Sequence, residues 1–287
     1  MKAAILAGGQ GTRLRPLTNG MPKPLVPLVG KPLIRHIIDP LPAEVDTVIL
    51  AVNYRKDDLQ AYFDSVDVGR EVILVEEKEP LGTGGALKNI SQYLDETFLA
   101  FNGDIVCSLD AAALVGFHHR SGGIGTIALW KVPDPSAFGV VALDADRVTS
   151  FQEKPAPGEE LSDLINAGVY VFEPEIFEHI PDGVVSLERD VFPKVLDRGL
   201  YGMRLEGHWV DCGTRDSYLR AQGILLQERG KGNVFKDGSS VAADADLAES
   251  TVMAGASVES KAFVRNSIIC PGAKVARGEK VVDTIFQ

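Results

Sequence analysis

The first residues that could do chemistry lie in a glycine- and arginine-rich loop near the N-terminus. A short apolar run, Ala3–Leu6, leads into the stretch GGQGTRLRP, which occupies Gly8–Pro16. Glycine has no Cβ, so a ligand can approach the backbone closely and amide groups can turn toward an anion. Arginine adds a permanent charge and paired donors that match a phosphate. The stretch predicts a phosphate-binding loop, with an ordinary glycine turn as the alternative.

Two common phosphate motifs do not fit this loop. A P-loop needs Lys followed by Ser or Thr after its last glycine, whereas Gly11 is followed by Thr12 and Arg13. A dinucleotide-binding fingerprint needs a third glycine three residues after the second, where this chain has Leu14. The sequence therefore disfavours a P-loop kinase and a dinucleotide-dependent dehydrogenase.

Length and composition predict a soluble globular protein of one large or two modest domains. The chain has 287 residues, of which 45% are hydrophobic and 24% charged. It shows no apolar segment of membrane-spanning length and no signal-peptide pattern, so we expect a cytoplasmic protein without a membrane partner. The cysteines (Cys107, Cys212 and Cys270) have no CxxC spacing, which argues against disulfides and zinc. The net charge of −11 argues against a nucleic-acid partner.

Apolar, β-rich runs alternate with helical patterns up to about residue 230. The predicted strands are Ala3–Ala7, Thr47–Val52, Glu71–Glu76, Thr97–Asn102, Gly125–Lys131, Gly139–Leu143 and Gly168–Phe172. The predicted helices are Leu33–Ile38, Asp57–Asp64, Leu109–Arg120 and a last one, capped by Thr214, that runs to Gly230. This alternation predicts an α/β, Rossmann-like domain with a mostly parallel sheet and its ligand at the carboxyl ends of the strands.

The pattern of residue types changes after this domain. Residues 231–287 carry small residues between apolar ones, most of which recur five or six positions apart, at Val241, Leu247, Val258, Val264, Ile269, Val275 and Val281. A period of about six residues is typical of hexapeptide-repeat coils. We therefore predict two domains: residues 1–230, and a short left-handed β-helix of about three coils over residues 231–287.

Seven motifs, in this order, resemble those of the sugar-1-phosphate nucleotidyltransferases. They are GGQGTRLRPLT with PKPL, PLGTGGAL, FNGDI, FGVV, FQEKP, NAGVYVF and WVDCGT. The resemblance covers residues 1–230. It implies a reaction in which a sugar 1-phosphate attacks the α-phosphorus of a nucleoside triphosphate and releases pyrophosphate. Because the attacking oxygen is already ionised, the enzyme mainly positions and neutralises its substrates.

The resemblance assigns roles to the residues that match the motifs. Arg13 would hold the β- and γ-phosphates, Lys23 would draw charge from the α-phosphate, and the backbone of Gly8, Gly9 and Gly11 would approach the triphosphate. Arg15 would either contact phosphate or brace the loop. Sugar 1-phosphate binding falls to Gly139, Glu153, Lys154 and Asn166, with Lys154 on the phosphate. Asp104 and Asp211 would hold Mg²⁺, a cation that needs few protein carboxylates.

The nucleotide preference depends on two residues of one loop. Gly82 would lie against the base, and Glu77 stands where thymidylyl- and uridylyltransferase relatives often have glutamine. A carboxylate only accepts hydrogen bonds, which suits the N1–H and 2-amino donors of guanine. Glu77 therefore favours GTP, with a solvent-facing acidic run as the alternative. PLGTGGAL and FNGDI most resemble mannose- or heptose-1-phosphate guanylyltransferases, so the resemblance implies GTP with mannose 1-phosphate. Heptose 1-phosphate guanylyltransferases, and thymidylyl- or uridylyltransferases acting on glucose 1-phosphate, remain open.

A non-catalytic regulatory subunit of the same architecture is the competing class. Such a subunit would not need the full set of charged residues that this chain contains, which is Arg13, Lys23, Asp104, Lys154 and Asp211. The sequence therefore favours the enzyme. Because the coils of a β-helix need to be capped or buried, we also expect a homo-oligomer.

Overall fold

The computed structural model describes residues 1–230 and 232–287, which form two compact units. The first unit comprises Met1–Gly9 and Ile37–Trp209, and the second comprises Gln10–His36 and Val210–Gln287. The domain boundary after residue 230 stays a prediction, and Lys231, with which the predicted second domain begins, lies outside the described residues.

A nine-stranded sheet forms the centre of the first unit. From edge to edge its strands are Glu71–Glu76, Thr47–Val52, Lys2–Leu6, Phe98–Asn102, Leu164–Phe172, Gly125–Lys131, Leu200–Arg204, Arg147–Glu153 and Gly139–Asp144. The first four pair in parallel, whereas Leu164–Phe172 runs antiparallel to both of its neighbours in this order. The α/β class is confirmed, but the sheet is mixed rather than mostly parallel. One cause is local: only Ala145 and Asp146 join the last two strands, and so short a connection permits antiparallel pairing only.

The helices of the first unit are short. They are Lys56–Ser65, Gly82–Asn89, Ala111–Ser121 and, beginning in the second unit, Arg35–Ile38. Single 3₁₀ or π turns occur at Ser91–Tyr93, Pro174–His179, Leu187–Val191, Phe192–Lys194 and Leu196–Arg198. The core holds large aromatic side chains that are fully buried, among them Phe98, Tyr170, Phe172 and Phe192. These rings pack against one another within about 6 Å of centroid separation.

The C-terminal strands of the second unit stack in three parallel series. The series are Asn233–Phe235, Ser250–Val252, Ile268–Ile269 and Ile285–Phe286; Ser240–Val241, Ser257–Val258 and Lys274–Val275; and Asp246–Ala248, Phe263–Arg265 and Lys280–Val282. Val241 pairs with Val258 and Val258 with Val275, so one coil takes 17 residues. This arrangement is that of the predicted left-handed β-helix, and a 17-residue coil with three sides explains why two apolar spacings of six occur for each spacing of five.

One helix and the N-terminal segment complete the second unit. Thr214 caps the helix Arg215–Glu228 in a capping box with Ser217, as the sequence predicts. The N-terminal segment has 3₁₀ turns at Thr12–Leu14 and Lys23–Leu25 and the strand pair Pro27–Leu28 and Lys31–Pro32. The strand Trp209–Asp211 begins in the first unit and ends in the second. Within the described residues, no helix is both long and apolar enough to cross a bilayer.

Candidate active site

A cavity of about 260 Å³ opens at the carboxyl edge of the sheet in the first unit. The strands Lys2–Leu6, Thr47–Val52 and Glu71–Glu76 run in parallel and end at this edge. The cavity is lined by Leu6, Gly8, Gly9, Glu77, Pro80, Leu81, Gly82, Thr83 and Ala86. Four residues that the sequence assigns to nucleotide binding are therefore neighbours: Gly8, Gly9, Glu77 and Gly82.

Glu77 is the one acidic side chain of the cavity lining, and its position is well defined. Its backbone N–H donates to the Val52 carbonyl at 2.7 Å, and its carbonyl accepts from Asn53 Nδ2 at 2.8 Å. The side chain is only 5% exposed, and its Oε2 accepts from the Leu81 backbone N–H at 3.2 Å. Burial raises the pKa of the carboxyl, and the Leu81 hydrogen bond opposes that shift. A solvent-facing acidic run therefore does not describe this residue.

Gly8 and Gly9, the first two glycines of the loop, have different surroundings. A Cβ on Gly8 would lie 2.9 Å from Glu77 Oε1, so the carboxylate occupies the space that a side chain there would need. A Cβ on Gly9 would meet no described protein atom within 4 Å. A side chain at position 8 would therefore have to displace the Glu77 carboxylate, while position 9 faces open space.

The helix Gly82–Asn89 forms one wall of the cavity, and sequence reasoning missed it. Gly82 has a φ of +72°, and a Cβ there would lie 2.5 Å from the Val185 carbonyl oxygen. That carbonyl accepts from the backbone N–H groups of Gly84 and Gly85 at 2.9 and 3.2 Å. A distant segment thus satisfies the first amides of a glycine-rich helix, whose intrinsic helix propensity is low.

The residues predicted to bind the sugar phosphate lie in the hairpin and the long strand of the first unit. Gly139 pairs with Glu153, and a Cβ on Gly139 would lie 2.6 Å from the Phe151 ring and 3.1 Å from Glu153 Oε2. Lys154 has a φ of +51°, and its N–H donates to the Phe138 carbonyl at 2.9 Å. Its Nζ lies 3.5 Å from Glu153 Oε1. The structure therefore brings Gly139, Glu153 and Lys154 together.

Asn166 is held in the long strand by two local hydrogen bonds. Its Nδ2 donates to the Tyr170 hydroxyl at 2.8 Å, and its Oδ1 accepts from the Gly168 backbone N–H at 2.9 Å. The ladder between this strand and its neighbour is irregular between Asn166 and Tyr170. Gly168, at a φ of +71°, allows the bend that the irregularity needs.

Asp104 follows the strand Phe98–Asn102 by two residues, as the sequence predicts. The intervening Gly103 donates its N–H to the Leu6 carbonyl at 2.9 Å, and a Cβ on Gly103 would lie 2.7 Å from that same oxygen. The chain therefore turns tightly against the first strand, and Asp104 stands at the carboxyl end of the sheet.

The second unit contains the cationic residues of the N-terminal loop. Gly11 has a φ of +65°, and a Cβ there would lie 2.9 Å from Thr18 Cγ2 and 3.0 Å from Lys23 Cβ. Thr18 Oγ1 donates to the Gly11 carbonyl at 2.9 Å, which closes the loop. Lys23 is buried, and Arg13 is exposed. Gly11 is therefore the position at which the loop packs against Lys23.

Arg13 and Asp211 meet at a glycine of the second unit. A Cβ on Gly213 would lie 2.8 Å from Asp211 Oδ1 and 3.0 Å from Arg13 Nη2. Two residues that the sequence assigns to phosphate and metal are thus neighbours. No group of three or more potential metal-binding side chains (His, Cys, Asp or Glu) occurs within residues 1–230 and 232–287.

Comparison with known proteins agrees with these motifs. The family model described as nucleotidyl transferase matches residues 2–228. The mannose-1-phosphate guanylyltransferase of Mycobacterium tuberculosis is 37% identical over 96% of this chain and 81% of its own length. The catalytic subunit beta of the Drosophila pseudoobscura enzyme is 41% identical over 78% of this chain, which spans 62% of that relative.

Solved structures show the same fold. HddC from Yersinia pseudotuberculosis, solved with GMP-PN, has a TM-score of 0.64 and 31% identity over 77% of this chain and 97% of its own. A putative glucose-1-phosphate thymidylyltransferase from Bacillus anthracis has a TM-score of 0.70 and 25% identity, covering 77% of this chain and 93% of its own. Because the family model covers more than half of the sequence and the mycobacterial relative aligns with nearly all of it, this chain belongs to the nucleotidyl transferase family.

Proposed function

We propose that the protein transfers a guanylyl group from GTP to mannose 1-phosphate, which forms GDP-mannose and releases pyrophosphate. The observation that carries this proposal is the buried Glu77 carboxylate in the wall of the 260 Å³ cavity. Guanine presents two donors, N1–H and the 2-amino group, to a group that can only accept. The relatives named mannose-1-phosphate guanylyltransferase, at 37–41% identity, support the substrate pair.

Positioning and charge neutralisation account for the transfer step. Lys23 would draw charge from the α-phosphate as the sugar phosphate oxygen attacks in line with the departing pyrophosphate. Arg13, with its paired donors, would hold the β- and γ-phosphates and stabilise the leaving group. The backbone of Gly9 and Gly11 would let the triphosphate approach. No general base is needed, because the nucleophile is an ionised phosphate oxygen.

The sugar phosphate would bind to the residues gathered around the hairpin of the first unit. Lys154 Nζ, 3.5 Å from Glu153 Oε1, would pair with the phosphate, while the Glu153 carboxylate would accept from sugar hydroxyls. Gly139 keeps the space beside Glu153 open, since a Cβ there would lie 3.1 Å from Glu153 Oε2. Asn166 would complete the pocket.

Asp104 and Asp211 would hold the Mg²⁺ ion that we propose as the cofactor. Their oxygens are the hard donors that Mg²⁺ prefers, and two carboxylates suffice when phosphates and water complete the shell. Gly213 keeps space open for an ion beside Asp211, because a Cβ at position 213 would lie 2.8 Å from Asp211 Oδ1. When bound, the ion would neutralise charge on the phosphate oxygens.

We also propose that the protein works in the cytoplasm as a homo-oligomer. The support is the absence of a disulfide pattern and the apolar coils that need cover. Sedimentation equilibrium of the purified protein tests the second statement, since a monomer at micromolar concentration would contradict it.

Pyrophosphate release with Mg²⁺ tests the activity across a matrix of substrates. GTP, UTP, dTTP, ATP and CTP are each combined with mannose, glucose and heptose 1-phosphates. We expect the highest rate with GTP and mannose 1-phosphate. A maximum with dTTP or UTP and glucose 1-phosphate would retain the mechanism and reject the guanine assignment, and a maximum with heptose 1-phosphate would reject mannose. No release from any pair would favour the regulatory subunit.

A further inference from the structure

A partly buried carboxylate outside the motifs is bonded to a residue of the nucleotide cavity, and its turn contacts the strand that ends in Glu153. Glu188 belongs to the π turn Leu187–Val191 of the first unit. Its Oε2 accepts from Thr83 Oγ1 at 2.7 Å and from Ser186 Oγ at 2.7 Å. Thr83 itself lines the cavity that holds Glu77. Glu188 is therefore anchored to the wall of the nucleotide cavity.

The same carboxylate approaches the sugar side of the unit. The Tyr170 hydroxyl accepts a hydrogen bond from Asn166 Nδ2 at 2.8 Å. Burial raises the pKa of Tyr170 well above its usual value, and the negative charges of Glu188 and Glu153 act in the same direction. Phe192, which directly follows the turn that carries Glu188, packs its ring 5.6 Å from that of Tyr170 and 5.2 Å from that of Phe151, measured between centroids. The turn of Glu188 is therefore packed against the two strands that carry Glu153 and Asn166, residues assigned to the sugar phosphate.

The charge of Glu188 has no cationic counterpart in the described part of the chain. The side chain of Glu188 accepts its hydrogen bonds within the described residues from two neutral hydroxyl groups, and both bonds use Oε2. A half-buried carboxylate of this kind would repel a phosphate but suits the hydroxyl groups of a neutral sugar ring. The arrangement leaves Oε1 for such a ligand hydroxyl.

We infer that Glu188 is a sugar-binding residue, whose carboxylate, oriented by Thr83 and Ser186, accepts a hydrogen bond from a ring hydroxyl of the sugar 1-phosphate. Thr83 acts as a positioning residue, because it acts through Glu188. The inference rests on the proposed function and extends it, since it adds a specificity-determining contact that the motifs do not contain.

The Glu188→Gln variant tests the inference, because it keeps the shape and replaces the charge. A hydrogen bond to an ionised group is strong enough that its loss should raise the KM for sugar 1-phosphate about 10-fold or more, with the KM for GTP within about 2-fold of wild type. Thr83→Val should give a smaller rise of the same kind. Glu173→Gln is the matched control, since the Glu173 carboxylate also accepts from a threonine hydroxyl, Thr97 Oγ1 at 2.8 Å.

Deoxy sugar 1-phosphates identify the partner of the carboxylate. In the wild-type protein, removal of one ring hydroxyl should weaken binding as much as the Glu188→Gln change does. The variant should then lose nothing further with that same analogue. Additive losses for every deoxy position would overturn the inference.

Calorimetric titration of sugar 1-phosphate, with a non-hydrolysable GTP analogue present, separates this inference from the proposed function. Weaker sugar binding by Glu188→Gln supports the inference whether or not turnover is fast. If Glu188→Gln has the wild-type KM and the wild-type affinity for the sugar 1-phosphate, the inference is overturned. The proposed function is retained in that case as long as the wild-type protein releases pyrophosphate. An increase confined to the KM for GTP would assign Glu188 to the ribose and also overturn it.

Discussion

At the residue scale, Glu77 combines a structural and a chemical role. Its carboxylate fills the space beside the Gly8 backbone, with Oε1 at 2.9 Å from the place a Cβ would take. Burial raises its pKa above the ordinary value of 4.5, so protonation begins at a higher pH than for an exposed glutamate. The protonated form would present a hydroxyl donor to a partner that also donates.

Glu77→Gln should therefore change both the nucleotide preference and its pH dependence. Under the proposed assignment, guanine donors would favour the ionised carboxylate, so the KM of the wild-type protein for GTP should rise as the pH falls through the raised pKa. The variant should raise the KM for GTP by about 10-fold, the effect of losing a charge-assisted bond, and should flatten this pH dependence. Initial rates between pH 5 and 8 measure both.

A neighbouring carboxylate provides the control for this change. Glu76→Gln alters an exposed residue at the end of the strand and should leave the KM for GTP and its pH profile as in the wild type. A Glu77→Gln variant with an unaltered KM would contradict the assignment of Glu77 to the base.

The variants Gly8→Ala and Gly9→Ala should distinguish an effect on protein packing from an effect on nucleotide binding. The new methyl of Gly8→Ala would press on Glu77 Oε1, so this variant should lower the melting temperature and raise the KM for GTP. The methyl of Gly9→Ala meets no described atom, so it should leave the melting temperature unchanged and raise only the KM for GTP. Thermal unfolding and initial rates test the pair. Equal melting temperatures for both variants would contradict the packing argument.

At the element scale, the helix Ala111–Ser121 carries a buried histidine. His118 is 1% exposed; its Nδ1 lies 2.9 Å from Thr126 Oγ1 and its Nε2 lies 3.1 Å from Glu173 Oε1. Burial lowers its pKa below 6.5, and the Glu173 carboxylate opposes that shift. The structure therefore places this histidine in the core.

This histidine should make stability depend on pH in a defined direction. Because the folded pKa lies below the unfolded one, the unfolded chain binds more protons just below pH 6.5. The contribution of neutral His118 to the free energy of unfolding is complete above pH 6.5. It decreases as the pH falls toward the folded pKa, by at most about 1.4 kcal/mol per pH unit. Urea unfolding at pH 5 to 8 should show a shallower acid decline for His118→Gln, whereas His119→Gln, at an exposed position, should follow the wild type.

Element boundaries show where sequence reasoning succeeds. The strands Thr47–Val52, Glu71–Glu76 and Gly125–Lys131 have the predicted bounds, because short continuous apolar runs specify strands locally. The helix Gly82–Asn89 was missed, since three of its eight residues are glycine and its first amides bond to Val185, a residue far away in sequence. Local propensity is weaker than such a tertiary constraint.

At the scale of the whole molecule, the β-helix belongs with the N-terminal loop segment in the second unit. Gln222 of the helix is 1% exposed; its Nε2 donates to the Glu249 and Ser267 carbonyls, and its Oε1 accepts from Thr251 Oγ1 at 2.6 Å. At the C-terminal end of the same helix, Arg229 Nη1 donates to the Val29 carbonyl of the N-terminal loop segment at 2.7 Å.

Truncation after residue 230 should therefore destabilise the protein. It would remove every coil partner of Gln222 and expose this formerly buried amide to water, so each lost hydrogen bond should cost a net of about 0.5–1.5 kcal/mol. Differential scanning calorimetry should show a lower melting temperature than for the full chain. Gln222→Leu tests the amide by itself, and a truncated chain that unfolds at the wild-type temperature would contradict the expectation.

The sequence by itself determined the features that local patterns encode. Apolar runs specified strands, the Thr214 cap began the last helix, and spacings of five and six residues predicted the coils. Seven ordered motifs identified the family before any contact was known. Each apolar run, cap, coil spacing or single motif is complete within a few tens of residues, so it can be recognised without knowledge of the fold.

Only the tertiary structure decided which distant residues share a surface. It put Glu77 against Gly8, and it joined Thr83 to Glu188 across 105 positions of sequence. In the sequence, Glu188 is one acidic residue among many, because no residue near it in the chain indicates that Thr83 is its partner. Hydrogen bonds between remote segments depend on how the sheet orders its strands, and that order arises only when the whole core packs.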